Sequence, residues 1–482
     1  MSDIGENLRQ SGESSRQIQV AVTGHRDVAD HLASQIADQC RSAFEAISDP
    51  SSGQGSICAI RLFSCYAKGV DQLVARIARD AHIPVVAVIP VKLRRYRKAE
   101  TIEKKLLRGI HIVRIEDPNS ETDQDAYAVA NSWMLQRCDV LIAVWDGEES
   151  TSEGGTAAAV AMALRRGLPI FWIPSSDPSA ARWLNPVGSP VDLPEECCEW
   201  GGLTPEEAYR CADRRAEQLG GRHRLIIRAI YALSALAAVA AISSLELPWA
   251  GWIELIALGA IGLLVHRAPR SGVTNKWMRY RVLAEELRLA LLGARLGIVP
   301  PAASESDGSA RELARRIAQQ AHLPKVLGPI EIDTFIAAVR AHLHVQLAYH
   351  RSVADAGRLR AVRLRLIREN VFAASLLITT VHLLFHPEMF SQVPAVTLMF
   401  SIVGPVVVGA LTALVDHTAP ESLAKNSAAA ASLLLRQHHA LGGRLPSLAN
   451  CIALFTDLCI LQNTQLGTWQ ETILDRPIEL PG

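Results

Sequence analysis

The sequence predicts an α/β Rossmann-like doubly wound parallel sheet at the N-terminus, plus an all-α C-terminal half with about four transmembrane helices in two hairpins. Two observations predict this division. Short apolar runs alternate with helix-like stretches through the first 175 residues. Long apolar runs flanked by arginine and lysine follow after about residue 220, which is typical of segments that cross a bilayer.

The predicted strands are short runs rich in β-branched and apolar residues. They are Ile18–Thr23, Ile57–Ser64, Pro84–Ile89, Ile110–Ile115, Val140–Trp145 and Pro169–Ile173. The predicted helices between them include Asp30–Ser48, Val70–Asp80, Asp125–Arg137 and Gly155–Arg166. Several strands are apolar at successive positions, which is typical of a sheet covered on both faces. Ligands of such sheets bind beyond the carboxyl ends of the strands, so we expect the site in the loops there.

Three of these loops contain residues suited to an anionic ligand. Glycine lets the backbone approach a ligand closely, arginine presents a planar fork of donors, and a Gly-Gly-Thr helix start offers free N–H groups. The predicted ligand-binding residues are Thr23, Gly24, His25 and Arg26 after the first strand, Ser64, Lys68, Gly69 and Asp71 after the second, and Asp146, Gly147, Glu153, Gly154, Gly155 and Thr156 after the fifth.

Each loop alone also fits a purely structural interpretation. Glycine-rich turns between strand and helix are common, and a lone histidine such as His25 is more often a packing or capping residue than a catalyst. A fourth loop, after the third strand, leads into the basic run Arg94–Arg97, which fits a solvated helix face equally well. The combination favours a ligand site because all these loops follow predicted strands on one edge of one sheet.

Three segments of this region resemble the SLOG family. They are VAVTGHRD, SCYAKGVDQLVARIA and CDVLIAVWDGEESTSEGGTAAAVAMAL, in this order within residues 17–175. The resemblance implies a Rossmann-like domain, related to the Lonely Guy nucleosidases and DNA-processing protein A, that binds a nucleotide-derived signal. Many members of the family are fused to effectors and are interpreted as sensors in bacterial conflict systems, which include antiphage defence.

Nucleosidase members of that family carry a catalytic glutamate in a Gly-Gly-x-Gly-Thr-x-x-Glu motif. In this sequence Gly154-Gly155-Thr156 is followed by three alanines, Ala157–Ala159. We therefore expect binding without catalysis and assign no catalytic residue. The alternative is a membrane-tethered nucleotide or NAD-like hydrolase, a Lonely Guy-like N-glycosidase, in which Asp146 or Glu153 replaces the missing acid. A third hypothesis is that the chain is a membrane scaffold whose α/β domain is vestigial.

Four apolar runs predict two transmembrane hairpins: Leu225–Leu247 with Ile253–His266, and Val371–Phe385 with Pro394–Val415. Buried helices of a soluble domain are the alternative, but the flanks are rich in arginine and lysine whereas both hairpin turns lack them. The positive-inside rule then predicts a multi-pass inner-membrane protein with the N-terminal domain and the C-terminus cytoplasmic. The nearby RYRVLAEELR resembles the SLATT class of membrane effectors, which implies oligomerisation and membrane disruption or a pore.

The remaining sequence completes the expected organisation. The domains are a disordered leader at 1–16, a SLOG-like domain at 17–175, a linker at 176–205, and two helical regions at 206–297 and 310–482. Equal numbers of basic and acidic residues, 49 each, give no general attraction to nucleic acid. The nine cysteines show no zinc spacing. The expected partners are membrane lipid, a nucleotide-like small molecule and further copies of the chain, with no cofactor or metal.

Overall fold

The computed structural model describes residues 17–48, 59–102, 104–117, 120, 122–148, 154–184, 203–244, 247–270, 272–301, 308–385, 394–441 and 447–474. The predicted leader and residues 185–202 of the predicted linker lie outside this set. The chain divides into two compact units, and both are discontinuous. One comprises Met1–Cys211, Val282–Val339 and Arg444–Gln462, and the other Ala212–Arg281, Arg340–Gly443 and Asn463–Gly482.

A sheet of eight described strands forms the centre of the first unit. The strands are β1 (Gln17–Gly24), β2 (Ala59–Ser64), β3 (Val85–Ile89), β4 (His111–Ile115), β5 (Val140–Trp145), β6 (Ile170–Pro174), β7 (Arg182–Trp183) and β8 (Val326–Leu327). Their order is β7-β6-β5-β1-β2-β3-β4-β8. Neighbouring strands are parallel except β6 and β7. The predicted parallel sheet with alternating helices is therefore confirmed.

Thirteen helices are described, beside short 3-10 turns. They are α1 (Asp30–Ser48), α2 (Val70–Asp80), α3 (Leu93–Ala99), α4 (Asp123–Arg137), α5 (Thr156–Arg165), α6 (Pro205–Ser243), α7 (Ala250–Arg270), α8 (Val273–Gly293), α9 (Gly308–Gln320), α10 (Pro329–Phe385), α11 (Pro394–Thr418), α12 (Pro420–Ala440) and α13 (Leu448–Leu474). A capping box between Thr122 and Asp125 starts α4, because each side chain satisfies a backbone N–H that the first turn leaves free.

The core of the first unit is built from apolar residues that repeat at the strand spacing in β1 and at the helix spacing in α1. In β1, Val20 and Val22 project into the same apolar cluster as Ile36 and Cys40 of α1, since alternate strand residues share a face and helix residues four apart share a face. All four side chains are fully buried. The apolar faces of the strand and the helix thus pack into one core. This core supports the loops at the carboxyl ends of the strands.

Residues from the C-terminal half complete this unit. Strand β8 extends the sheet beside β4, pairing Arg114 with Val326 and Ile115 with Leu327. The Arg137 guanidinium, which is 1% exposed, donates to Gly297 O at 2.7 Å and to Gln319 O at 2.6 Å. Burial lowers its pKa to about 10. Carbonyl oxygens partly compensate the buried charge, so Arg137 joins the 282–339 segment to the α/β region.

Aromatic and ionic contacts hold the helices of the second unit together. Trp277 of α8 stacks on His223 of α6, with ring centroids 5.0 Å apart, and meets Trp469 of α13 edge-on at 5.3 Å. Gly220 makes the close approach of α6 and α8 feasible, because a Cβ there would lie 2.7 Å from Trp277 Nε1. The pair Arg281–Asp213, at 3.7 Å, adds a link between the same helices.

Three described stretches are long and apolar enough to cross a membrane: Pro205–Ser243, Ala250–Ala268 and Val403–His439. Less than a quarter of the apolar window in each is buried, and Trp249, Trp252 and Ile256 are largely exposed. The predicted span at 371–385 forms the end of α10 and is not among the three, so the count of four is not confirmed. The helical character of this half is confirmed among the described residues, with the two-residue strand β8 as the exception.

Candidate functional site

The sheet has a topological switch point between β1 and β5. From β1 the chain adds β2, β3 and β4 on one side, and β5 and β6 then lie on the other side of β1. A crevice forms at the carboxyl ends of two such strands because their connections leave in opposite directions. The loops after β5, β1 and β2, which contain the residues predicted from the sequence, therefore converge at this edge.

His25 and Asp146 meet across the switch point. The His25 N–H donates to Val144 O at 3.3 Å, and its Nε2 lies 3.1 Å from Asp146 N and 3.3 Å from Asp146 Oδ2. A neutral Nε2 accepts from the backbone N–H, whereas a protonated one donates to the carboxylate. The imidazole therefore has two alternative partners, and both side chains are partly open to solvent.

The glycines after β1 and β2 are required by close packing of the two loops. Gly69 has φ +94°, and a Cβ there would lie 2.3 Å from Arg26 O. A Cβ at Gly24 would lie 2.5 Å from Val70 Cβ. The Val70 N–H also donates to His25 O at 3.2 Å. Packing thus explains both glycines, and their predicted contact with a ligand stays a prediction.

Ser64 and Asp71 lie inside the loop rather than on its surface. They are 0% and 4% exposed, and Ser64 Oγ accepts from Tyr66 N at 2.9 Å and lies 3.4 Å from Asp71 Oδ2. Burial raises the pKa of Asp71 to about 7, although hydrogen bonds from Ala67 and Ser64 oppose this. Tyr66 adopts φ +56°, and such strain in a non-glycine residue is typical of functional loops.

Glu100, which the sequence analysis did not identify, organises the loops after β1 and β2. Its carboxylate is 3% exposed, lies 3.0 Å from the Arg26 guanidinium, and accepts from Lys68 N at 2.8 Å and from the Tyr127 hydroxyl. Arg26 also lies over the Tyr127 ring, 5.2 Å from its centroid. Much of the Arg26 and Lys68 side chains remains exposed, so both can also reach a ligand.

The start of α5 forms the third side of the site. Gly155 is the N-cap and provides no side-chain cap, so backbone N–H groups of the first turn face outward beside partly exposed Thr156. Asn131 Nδ2 donates to Gly154 O at 3.3 Å. Gly147, with φ +92°, lies in the turn after Asp146. Glu153 lies outside the described residues.

The structure thus brings most of the predicted residues to one edge, in two layers. The partly or largely exposed layer comprises Gly24, His25, Arg26, Lys68, Gly69, Asp146, Gly147, Gly154, Gly155 and Thr156, and the buried layer comprises Thr23, Ser64 and Asp71 with the unpredicted Glu100. Side chains of both charges and outward-facing N–H groups suit a ligand with an anionic group and hydroxyls. Among the described residues, no cluster of three or more His, Cys, Asp or Glu could hold a metal.

Comparison with known proteins gives one match. The model of a family described as a protein of unknown function (DUF4231) matches residues 207–290, which cover α7 and most of α6 and α8. No curated protein and no solved structure matches the chain. The match concerns the helical region and includes no residue of the first six strands.

Proposed function

We propose that this chain is a membrane-anchored sensor-effector: its SLOG-like α/β unit binds a nucleotide-derived signal at the switch point and controls the transmembrane helices. The convergence of the loops after β5, β1 and β2 at the switch point is the observation that carries the proposal. In parallel α/β sheets this crevice is the usual binding site for phosphate-bearing ligands. The partner in this proposal is a nucleotide-like small molecule.

The charges at the crevice fit such a ligand part by part. The uncapped start of α5 and the exposed ends of Arg26 and Lys68 suit a phosphate group, because helix N-termini and basic side chains favour anions. The Asp146 carboxylate, also exposed, is the type of acceptor that binds ribose hydroxyls in dinucleotide sites. A nucleotide satisfies both requirements in one molecule.

The membrane half is proposed to insert as hairpins with both chain ends in the cytoplasm of a bacterial cell. Arg267 and Arg270 follow the apolar part of α7, and arginines also precede that of α6, whereas the turn at Pro248–Trp249 has no basic residue. The run Val371–Phe385 completes a second hairpin with α11 in this proposal. Several chains then assemble as a homo-oligomer whose spans open a pore or disrupt the bilayer, in antiphage or conflict defence.

Coupling between sensor and spans is proposed to pass through shared helices. The residue boundaries of the two compact units fall inside α6, α8, α10 and α13. A ligand shifts the spans only if its affinity differs between two arrangements of the protein. A helix that contributes to both units gives such a difference a continuous covalent path.

The second candidate function, a membrane-tethered nucleotide or NAD-like hydrolase, is favoured by the His25–Asp146 pair. An imidazole beside a carboxylate at an open crevice can act as a general base toward water. Release of free base from AMP or NAD by the purified chain would favour this function over the sensor.

The test uses the full chain in phospholipid nanodiscs, because residues 1–210 alone lack β8 and the partners of Arg137. A thermal-shift screen of nucleotides and cyclic nucleotides should give a ligand that raises the melting temperature. Thr156→Val should weaken binding about tenfold, since it removes a hydroxyl at the anion-binding helix start. Arg165→Gln, an exposed change in the last turn of α5, is the matched control.

A second measurement separates an effector from a scaffold. The ligand found in the screen should release a fluorescent dye from liposomes that contain the full chain, and Thr156→Val should shift the required concentration by the same factor. Binding without leakage would contradict the effector part of the proposal. The absence of any ligand in the screen would contradict the sensor part.

A further inference from the structure

A second group of basic side chains lies at the opposite edge of the sheet. They line a cavity of about 580 Å³ at the amino ends of β3 and β4, which residues 320–323, from the end of α9 into its connection to β8, also line. We call it the basic cavity. Its basic residues are Arg61, Arg79, His82, Arg108, His111 and His322, and its described lining includes no aspartate or glutamate.

The basic cavity is separate from the switch-point crevice. His111 is the first residue of β4, and Val85, also in the lining, is the first residue of β3, whereas the crevice lies beyond the last residues of the strands. Five residues of strand extend roughly 16 Å. A ligand in one site therefore does not fill the other.

The positive charge at the basic cavity is partly desolvated. Arg61 is half-buried within β2, and this burial lowers the pKa of its guanidinium. Burial also lowers the pKa of His111, and the charges of His322, Lys325 and Arg61 lower it further, although a hydrogen bond to the Pro324 backbone opposes this. A guanidinium removed from water without a carboxylate partner is costly. Since the described lining contains no carboxylate, an anion in the cavity would supply a counter-charge.

The hydrogen bonds of His111 and Arg79 are also compatible with an anion in the basic cavity. His111 Nε2 is buried and has no hydrogen-bond partner among the described residues, and its ring lies 6.3 Å from that of His322. Arg79 Nη1 donates to Leu106 O at 3.0 Å. Arginine has five N–H donors, so most of those of Arg79 remain for other acceptors.

We propose that the basic cavity binds a small molecule carrying a phosphate group. Three guanidinium groups and three imidazoles supply the forked and single donors that phosphate oxygens prefer. The volume is in the range of small-molecule sites. The proposal is independent of the function assigned to the switch point.

Pyrophosphate binding to the full chain in phosphatidylcholine nanodiscs, measured by isothermal titration calorimetry, tests the proposal. Arg61→Gln and Arg108→Gln should each weaken binding at least about tenfold, because each removes charge-assisted hydrogen bonds. Arg76→Gln, an exposed change on α2 outside the cavity, should leave the affinity unchanged. Thr156→Val should also leave it unchanged, which separates this site from the crevice.

The melting temperature measured without ligand shows whether each variant still folds. Arg61→Gln should keep or raise it, since the change removes a partly buried cation, and Arg108→Gln tests an exposed position. Repeating the titration in discs with phosphatidylglycerol distinguishes the source of the phosphate: equal affinity indicates a soluble ligand, and weaker affinity a lipid headgroup. No binding of pyrophosphate, or equal weakening by Arg76→Gln, would overturn the proposal.

Discussion

Asp71 is buried and its carboxyl has a raised pKa, whereas its position in the sequence indicates an exposed and ionised side chain. An acidic residue in the first turn of α2 is expected to be ionised and exposed, where it favours the helix dipole. In the structure Asp71 is buried beneath the loop after β2, and burial raises the pKa of its carboxyl to about 7 from the ordinary value of 3.8. Its contacts are with Ser64 and with the backbone of Cys65 and Ala67, inside the loop that carries Lys68.

This pKa predicts a pH dependence of stability. Below the ordinary value both the folded and unfolded chains hold the proton, so Asp71 has no effect. As the pH rises toward 7 only the unfolded chain ionises, and stability falls by roughly 4 kcal/mol in total. The Asp71→Asn variant has no carboxyl to ionise at this position, so its stability does not fall for this reason. From about pH 5 to about pH 8, the melting temperature of the unmodified chain should therefore fall relative to that of the variant. A pH-independent difference would contradict the buried state of this carboxyl.

At the scale of elements, α4 shows why a helix can be hard to interpret from sequence. It carries Asn131, Gln136 and Arg137 among its apolar residues, and all three are buried. The partners of Gln136 and Arg137 are backbone carbonyls of residues 297–319, far away in the chain. Polar residues on this face thus fasten the C-terminal segment to the sheet.

Arg137→Met tests this role of α4. The variant keeps much of the side-chain volume but leaves Gly297 O and Gln319 O without their donor, so we expect a loss of roughly 3 kcal/mol. Limited proteolysis should then cut between residues 294 and 327 sooner than in the unmodified chain. Arg76→Gln serves as the control. Unchanged proteolysis of Arg137→Met would show that other contacts hold this segment.

At the scale of the whole molecule, the orientation in the membrane decides whether the switch point meets a cytosolic ligand. The proposed topology places the turn at Trp249 outside the cytoplasm and Arg267 inside, because basic flanks stay on the cytoplasmic side. In a chain whose nine cysteines are replaced, a membrane-impermeant maleimide should label Trp249→Cys in intact cells. Arg267→Cys should react only after permeabilisation, and the reverse pattern would invert the proposed orientation.

The sequence predicted the strands and helices of the α/β region closely, and the reasons lie in particular residues. The helices Asp30–Ser48 and Val70–Asp80 have the predicted bounds, because turn residues precede them and their apolar positions repeat at helical spacing. Strand β8 was missed, since two residues carry no periodic signal. Glu100 was missed because a glutamate after a basic helix is usually a surface residue, and only tertiary packing buries it.

The eighth strand has a consequence for the order in which the protein is made. Translation proceeds from the N-terminus, so β4 leaves the ribosome long before Val326 and Leu327, and the helices α6 and α7 are synthesised in between. Until then the edge of β4 stays open and Arg137 lacks its acceptors. Completion of the α/β unit therefore waits for synthesis past the first apolar helices, and a nascent chain that stops before residue 327 exposes an unpaired edge to proteases and chaperones.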